Sequence, residues 1–393
     1  MSIVPLFTRR FLFLWLFSFI TFFAAFQLLP AVPFRIIAIG GSRAQAGWFL
    51  SAYALASAFA APLMGNLADH IGRKRMLMTA SLLFVVFSLL YGVIRFFPLL
   101  FAIALVHGSL WSALTASASA IMSDFIPDSR RNEGLAYWGL ASTAAIALAP
   151  AVGLTVYEHF GWVPLCVELA TLSLITFVWA SRLPVTHTTM STAHSLREAW
   201  DVQTLRPALS LSVICFGYGG VTSYVAILSR DRGVKPESLY FTIFALSIVV
   251  VRIFTSRLGD RFGPKLILYP SYAAIPISFA VLSVATNTWQ FAMSATLFGI
   301  GMGGAYPAFA NFLLMNTDPK RRARTFGTIV MAFDTGIASG SLAIGAIGQR
   351  YSLATAFAVA AALSCLAIPI FMATSRQLAG VNGTAVAASA EHG

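Results

Sequence analysis

Residues 65–74 read Gly65-Asn-Leu-Ala-Asp69-His-Ile-Gly72-Arg73-Lys74, and residues 256–265 read Ser256-Arg-Leu-Gly-Asp260-Arg261-Phe-Gly263-Pro-Lys265. Asp69 maps onto Asp260 and Gly72 onto Gly263 at a shift of 191, and the same shift carries Gly108 onto Gly299. Pro127 with Arg130 and Arg131 falls within one residue of that register from Pro319 with Arg321 and Arg322. A constant register over such a distance marks an internal repeat of about half the chain.

Outside these short polar turns the sequence is mostly apolar. Of 393 residues, 58% are hydrophobic and 10% charged, with a mean hydropathy of +0.79, against roughly 25% charged in soluble domains. A water-soluble fold is excluded. Apolar stretches occupy 11–38, 46–66, 76–95, 98–123, 134–157, 162–183, 207–229, 238–258, 265–285, 289–315, 326–348 and 352–373. Each is long enough to cross a hydrocarbon layer of roughly 30 Å. None shows the alternation of a membrane barrel, so helices must satisfy the backbone polar groups in lipid. The first stretch follows Arg9 and Arg10 but is too long for a signal peptide and lacks a small-residue cleavage site, so it reads as a first span.

The fold class is therefore an all-α membrane protein with twelve transmembrane helices in two six-helix parallel repeats. The expected organisation is 1–183 for one half, 184–206 for a cytoplasmic linker, 207–375 for the other half and 376–393 for a disordered tail. With the N-terminus inside, 18 Lys/Arg fall on the cytoplasmic side, seven outside, and Arg252 lies within a helix. That asymmetry predicts both termini in the cytoplasm. It also accounts for the net charge of +12 without a nucleic-acid partner. Cys166, Cys215 and Cys365 fall inside helices without metal-ligand spacing and read as packing residues. Parallel repeats with one sidedness are an architecture in which one half can rock against the other around a central site.

These residues resemble the major facilitator superfamily over essentially all twelve stretches. Its cytoplasmic signature stands here as Gly65, Leu67, Ala68, Asp69, Gly72, Arg73 and Lys74, with a weaker copy in Asp260, Arg261 and Gly263. Glycines at such a turn permit tight reversal and close helix approach, and charged side chains complement helix ends. The resemblance implies that Asp69 latches span 2 to span 11 when the outer side is open; topology alone is the other role for Arg73, Lys74 and Arg75. Span 5 contains Ala147-Leu-Ala-Pro150-Ala-Val-Gly153-Leu154, similar to the antiporter motif of drug-exporting members, with Ala145, Ala149 and Leu154 where glycines are usual. Gly299-Ile-Gly-Met-Gly-Gly-Ala-Tyr306-Pro307, followed by Phe333-Asp334-Thr-Gly336-Ile-Ala-Ser-Gly340, resembles bacterial arabinose-efflux or multidrug-efflux members.

Ionisable residues inside spans cost at least about 2.5 to 3.5 kcal/mol at the bilayer centre, so each needs a reason. Asp334 in span 11 and Arg252 in span 8 lie at similar depth, roughly 12 Å from the cytoplasmic helix ends. They are expected to form either a proton-responsive charge network or a fixed ion pair that specifies packing. Glu168 in span 6 is a further proton-carrier candidate or an interfacial residue. Span 4 reads Ala104-Leu-Val-His107-Gly108 where many proton-coupled exporters carry an arginine at the first of these positions, so His107 is the titratable group there; packing against a neighbouring helix is its other reading.

In the family, spans 1, 4, 7 and 10 line the central cavity, which here implies Gln27, His107, Trp111, Tyr218, Tyr224, Tyr306 and Asn311. An apolar, aromatic cavity with few polar anchors suits amphipathic or lipophilic solutes. The expected activity is secondary active export of such small molecules in exchange for protons, with no cofactor, by a monomer in the cell inner membrane. A sugar or metabolite carrier is the alternative. A membrane-embedded enzyme would need a catalytic constellation that the sequence lacks, and a nucleotide-driven pump would need a phosphate-binding loop.

Overall fold

Glycines and capping side chains decide where the helices stop. The computed structural model describes residues 6–127, 130–183, 201–318 and 321–375; the expected tail and most of the expected linker lie outside them. The described residues form twelve helices: α1 Arg9–Ala38, α2 Arg43–Ile71, α3 Arg73–Val93, α4 Phe97–Phe125, α5 Arg131–Phe160, α6 Trp162–Arg182, α7 Val202–Asp231, α8 Leu239–Phe262, α9 Pro264–Val284, α10 Thr288–Met315, α11 Arg322–Arg350 and α12 Leu353–Ser364. Gly72 alone separates α2 from α3, and Gly263 alone separates α8 from α9, with φ of 100° and 84°. A side chain is strained in that region, so both copies of the repeated turn require glycine for the same reason. Ser42 opens α2 with a reciprocal capping box to Gln45, and Asn287 and Ser352 cap α10 and α12.

α1 to α11 run from 21 to 30 residues, roughly 31 to 45 Å at 1.5 Å per residue. Over the described residues, ten helices are long and apolar enough to cross a membrane, with the last counted as Leu353–Ser375. α2, of 29 residues, and α8, of 24, complete the twelve by length. The predicted spans coincide with these helices, and α2, α4, α5, α7 and α11 outrun them by a few residues at each end. Two boundaries differ for identifiable reasons. α7 begins at Val202 rather than 207 because Asp201 caps it and is buried. The last span is interrupted by a turn at Cys365 and Leu366, because Pro369 cannot donate to the Cys365 carbonyl four residues earlier. Cys365 is exposed at that turn, unlike buried Cys166 and Cys215.

The helices group into two compact units. The first holds α1 to α6 with residues 235–245, and the second holds α7, the rest of α8 and α9 to α12. Within the first, α1 packs on α5, α2 on α4 and α3 on α6; within the second, α7 packs on α11 and α9 on both α10 and α12. Small residues make the closest approaches. A Cβ on Gly108 would overlap the Tyr53 carbonyl of α2, and one on Gly340 would overlap the Phe216 carbonyl of α7. Large apolar side chains stay exposed on outer faces, among them Leu82, Val86 and Leu89 of α3 and Leu246, Val249 and Val250 of α8. Their three-to-four-residue spacing gives each helix a stripe suited to lipid contact.

Candidate functional site

In the second unit, four helices bring polar groups together around an aromatic cluster. Asp334 and Phe333 come from α11, Tyr306 from α10, Tyr218 and Cys215 from α7, and Arg252 from α8. The rings of Tyr306 and Phe333 meet edge to face at 5.2 Å, and Tyr218 meets Phe333 at 5.9 Å and Phe298 at 5.6 Å. The Asp334 carboxyl and the Arg252 guanidinium both lie within electrostatic range of the Tyr306 phenol. The structure thus adds Tyr306 as a common neighbour of the two charged groups that the sequence singled out. Arg252 keeps a buried Nε without a hydrogen-bond partner among the described residues. A partly exposed acid beside phenol and phenyl faces can accept a proton or meet a positively charged, flat solute.

In the first unit the ionisable groups are dispersed. His107 is buried, with 4% of its surface exposed. It is ringed by Phe84 at 4.4 Å, Tyr53 at 5.1 Å and Phe87 at 5.5 Å, and its Nδ1 is 3.2 Å from the Tyr91 hydroxyl. α4 therefore turns His107 into its own bundle, toward α2 and α3, and not onto an open cavity surface. One turn further along, Trp111 is half-buried against Phe22 at 4.7 Å and Phe26 at 6.2 Å.

Gln27 is wholly buried on α1. The polar group facing it is the half-buried Glu168 carboxyl of α6. Gly153 of the antiporter-like segment lets α5 close on the Gln27 backbone, where a Cβ would sit 2.6 Å from the Gln27 carbonyl oxygen. Pro150 lies one turn before it inside the helix and is buried too. That segment thus fixes α1 at the very residue that looks toward Glu168.

Other expected cavity residues part company. Tyr224 is fully buried, Tyr218 nearly so, Tyr306 is half-buried and Asn311 is exposed. Gln27, His107 and Tyr224 consequently present almost no surface to an open cavity, because close helix packing covers them.

At the turn between α2 and α3, Arg73 pairs with Asp124 at the end of α4 at 3.4 Å, a partner that hydropathy gave no cause to select. Lys74 is half-buried. An added Cβ at Gly65 would meet nothing within 4 Å among the described residues. The side chains of Asp69, Asp260 and Arg261 lie outside the described set.

The sequence also missed an ionic cluster at the start of α7. The Asp201 carboxylate, 2% exposed, accepts from Arg321, from Thr325 Oγ1 at 3.0 Å and from the Gln203 amide at 3.1 Å. Its own amide donates to Thr328 Oγ1 at 2.8 Å. This clamp ties the start of α7 to the start of α11.

Twelve apolar helices in two similarly packed sets, each enclosing polar and ionisable groups, define a multi-pass membrane protein built as a repeated bundle. The chain belongs to the Major Facilitator Superfamily, whose model matches residues 14–284 and 208–388, and it is a transporter of that family. It is 26% identical to multidrug resistance protein MdtG of Salmonella typhimurium over 369 residues, covering 88% of this chain and 90% of that one. With MdtG of Serratia proteamaculans it shares 25% over 366 residues, covering 88% and 89%. Its fold matches the crystal structure of nucleoside transporter NupG with a TM-score of 0.74 at 15% identity, over 93% of this chain and 99% of that one. The human organic anion transporter MFSD10 (TETRAN) matches with a TM-score of 0.67 at 17% identity, over 92% and 99%.

Proposed function

We propose that this transporter exports small amphipathic or lipophilic compounds in exchange for protons, by alternating access of its two six-helix halves. The supporting observation is that Asp334 and Arg252 lie within electrostatic range of Tyr306, while Phe333, the chain neighbour of Asp334, packs against both Tyr306 and Tyr218. An acid held among aromatic faces offers a proton and a lipophilic cation competing places, which is the minimum chemistry of exchange. The multidrug resistance relatives support the same direction and substrate class. The setting that accompanies this reading is the cell inner membrane, with both termini cytoplasmic and a single chain as the working unit.

A sugar or metabolite carrier is the second reading. Ser112, Thr115, Ser119 and Ser123 form a hydroxyl row along α4, and a nucleoside transporter shares the fold.

Purified protein in liposomes should move a lipophilic cationic dye when a pH gradient is imposed. Asp334→Asn should lower that rate by at least about tenfold, a loss of roughly 1.4 kcal/mol or more, and remove the pH dependence of dye binding. Movement that survives collapse of the gradient would remove proton exchange from the proposal. Uptake of a sugar or nucleoside with no dye movement would favour the second reading.

A further inference from the structure

The first unit has a small, partly open cavity between α1, α3, α4 and α6 that the transport reading does not use. It leaves about 20 Å³ for the centre of a water-sized sphere, and roughly 10 to 15 Å³ by that measure suffices for one water. Thr21, Ser88, His107, Ser173 and Thr176 contribute its polar lining, and each is at most 5% exposed. The Thr21 hydroxyl is buried without a hydrogen-bond partner. His107 spends Nδ1 on Tyr91, which leaves Nε2 as its second polar atom. Thr176 already donates to the Ser173 carbonyl.

We infer that this cavity is a built-in site for one ordered water molecule that joins His107 to Thr21 inside the N-terminal half. Water is the ligand that fits. The space is too small for a transported solute, and the lining holds hydroxyls and an imidazole but no carboxylate that would favour a metal cation. A buried hydroxyl left unpaired is destabilising, and a water with two to four polar partners removes that penalty. With the Tyr91 hydroxyl donating to Nδ1, Nε2 carries the ring proton and donates to the water. The water in turn donates to Thr21 Oγ1. His107 is thereby held as one tautomer, and it gains a hydrated neighbour although its ring is walled in by aromatic side chains.

Millisecond X-ray radiolysis of the full-length protein in lipid nanodiscs, read by mass spectrometry, tests this, because buried residues are oxidised where an ordered water is activated beside them. Phe84 lines the cavity and is 6% exposed, while Phe279 is fully buried in the other unit. Phe84 should be oxidised several-fold faster than Phe279. Thr21→Val, which keeps the shape and removes the hydroxyl, should bring Phe84 down toward the Phe279 rate without changing Phe279. Equal labelling of the two phenylalanines in the unaltered protein would show a dry cavity and overturn the inference. Preferential labelling of Phe84 that is unchanged in both Thr21→Val and His107→Leu would overturn it as well, since the water would not be held by those residues.

Discussion

The two halves repeat two helix pairings, α1 on α5 as α7 on α11 and α3 on α6 as α9 on α12, but not their chemistry. The seam between α7 and α11 is closed by Gly219, Gly336 and Gly340, each too near the facing helix to accept a Cβ, and by a Ser223–Ser341 hydroxyl contact of 2.6 Å. The corresponding seam between α1 and α5 uses Gly153, with alanines at 145, 147 and 149. Apart from the Asp201–Arg321 clamp at its helix starts, the second half brings Asp334 and Arg252 within electrostatic range of one residue, Tyr306. The first half disperses its ionisable groups, with His107 facing inward and Glu168 facing Gln27. An inherited repeat constrains helix pairing strongly, because backbones in close contact tolerate only small residues. It constrains polar side chains weakly, because each can be exchanged without moving a helix.

The contrast between seams gives the largest expected effect. Gly340→Val should destabilise by about 3 kcal/mol or more, because the backbone of α7 must move. In thermal unfolding monitored by intrinsic fluorescence, the midpoint should fall well below that of Gly153→Val. Equal midpoints would erase the distinction between the two seams.

The entries to the halves differ next. α1 starts on a single Thr8 cap, whereas α7 starts on the Asp201 clamp. Asp201→Ala should cost about 2 to 3 kcal/mol, since bonds to a buried charge are lost, against about 1 kcal/mol for Thr8→Ala. The same unfolding measurement ranks them, and a reversed order would mean that the clamp is solvent-screened.

Tyr91→Phe removes the bond to His107 and should cost about 1 kcal/mol. Its effect should be confined to the first half, visible as faster hydrogen exchange in α3 and α4 and not in α9 and α10. Smallest is Arg73→Gln. Its pair with Asp124 is partly exposed, so a loss within about 1 kcal/mol is expected. That loss should shrink further in high salt.

Much of the fold was legible because hydrophobic runs and a constant register are local and cumulative properties. The glycines at 72 and 263 could be recognised as turns for the same reason. The start of α7 was misplaced because Asp201 and Gln203 look like linker residues until Arg321, Thr325 and Thr328, more than a hundred positions away, bury them. Asp334 and Arg252 stood out as charges in apolar helices, but their shared neighbour Tyr306 comes from a third helix. His107 could be placed at mid-helix, while its inward orientation follows from the aromatic residues of α2 and α3.

The sequence by itself determined a membrane protein of twelve helices in two repeated halves, since the free energy of placing apolar and charged segments in lipid is fixed segment by segment. Only the tertiary structure decided which polar side chains meet, that Gly153 seats Gln27 opposite Glu168, and that a cavity opens beside His107. Those outcomes depend on helix rotation and close approach, where a shift of one residue turns a side chain through about 100°.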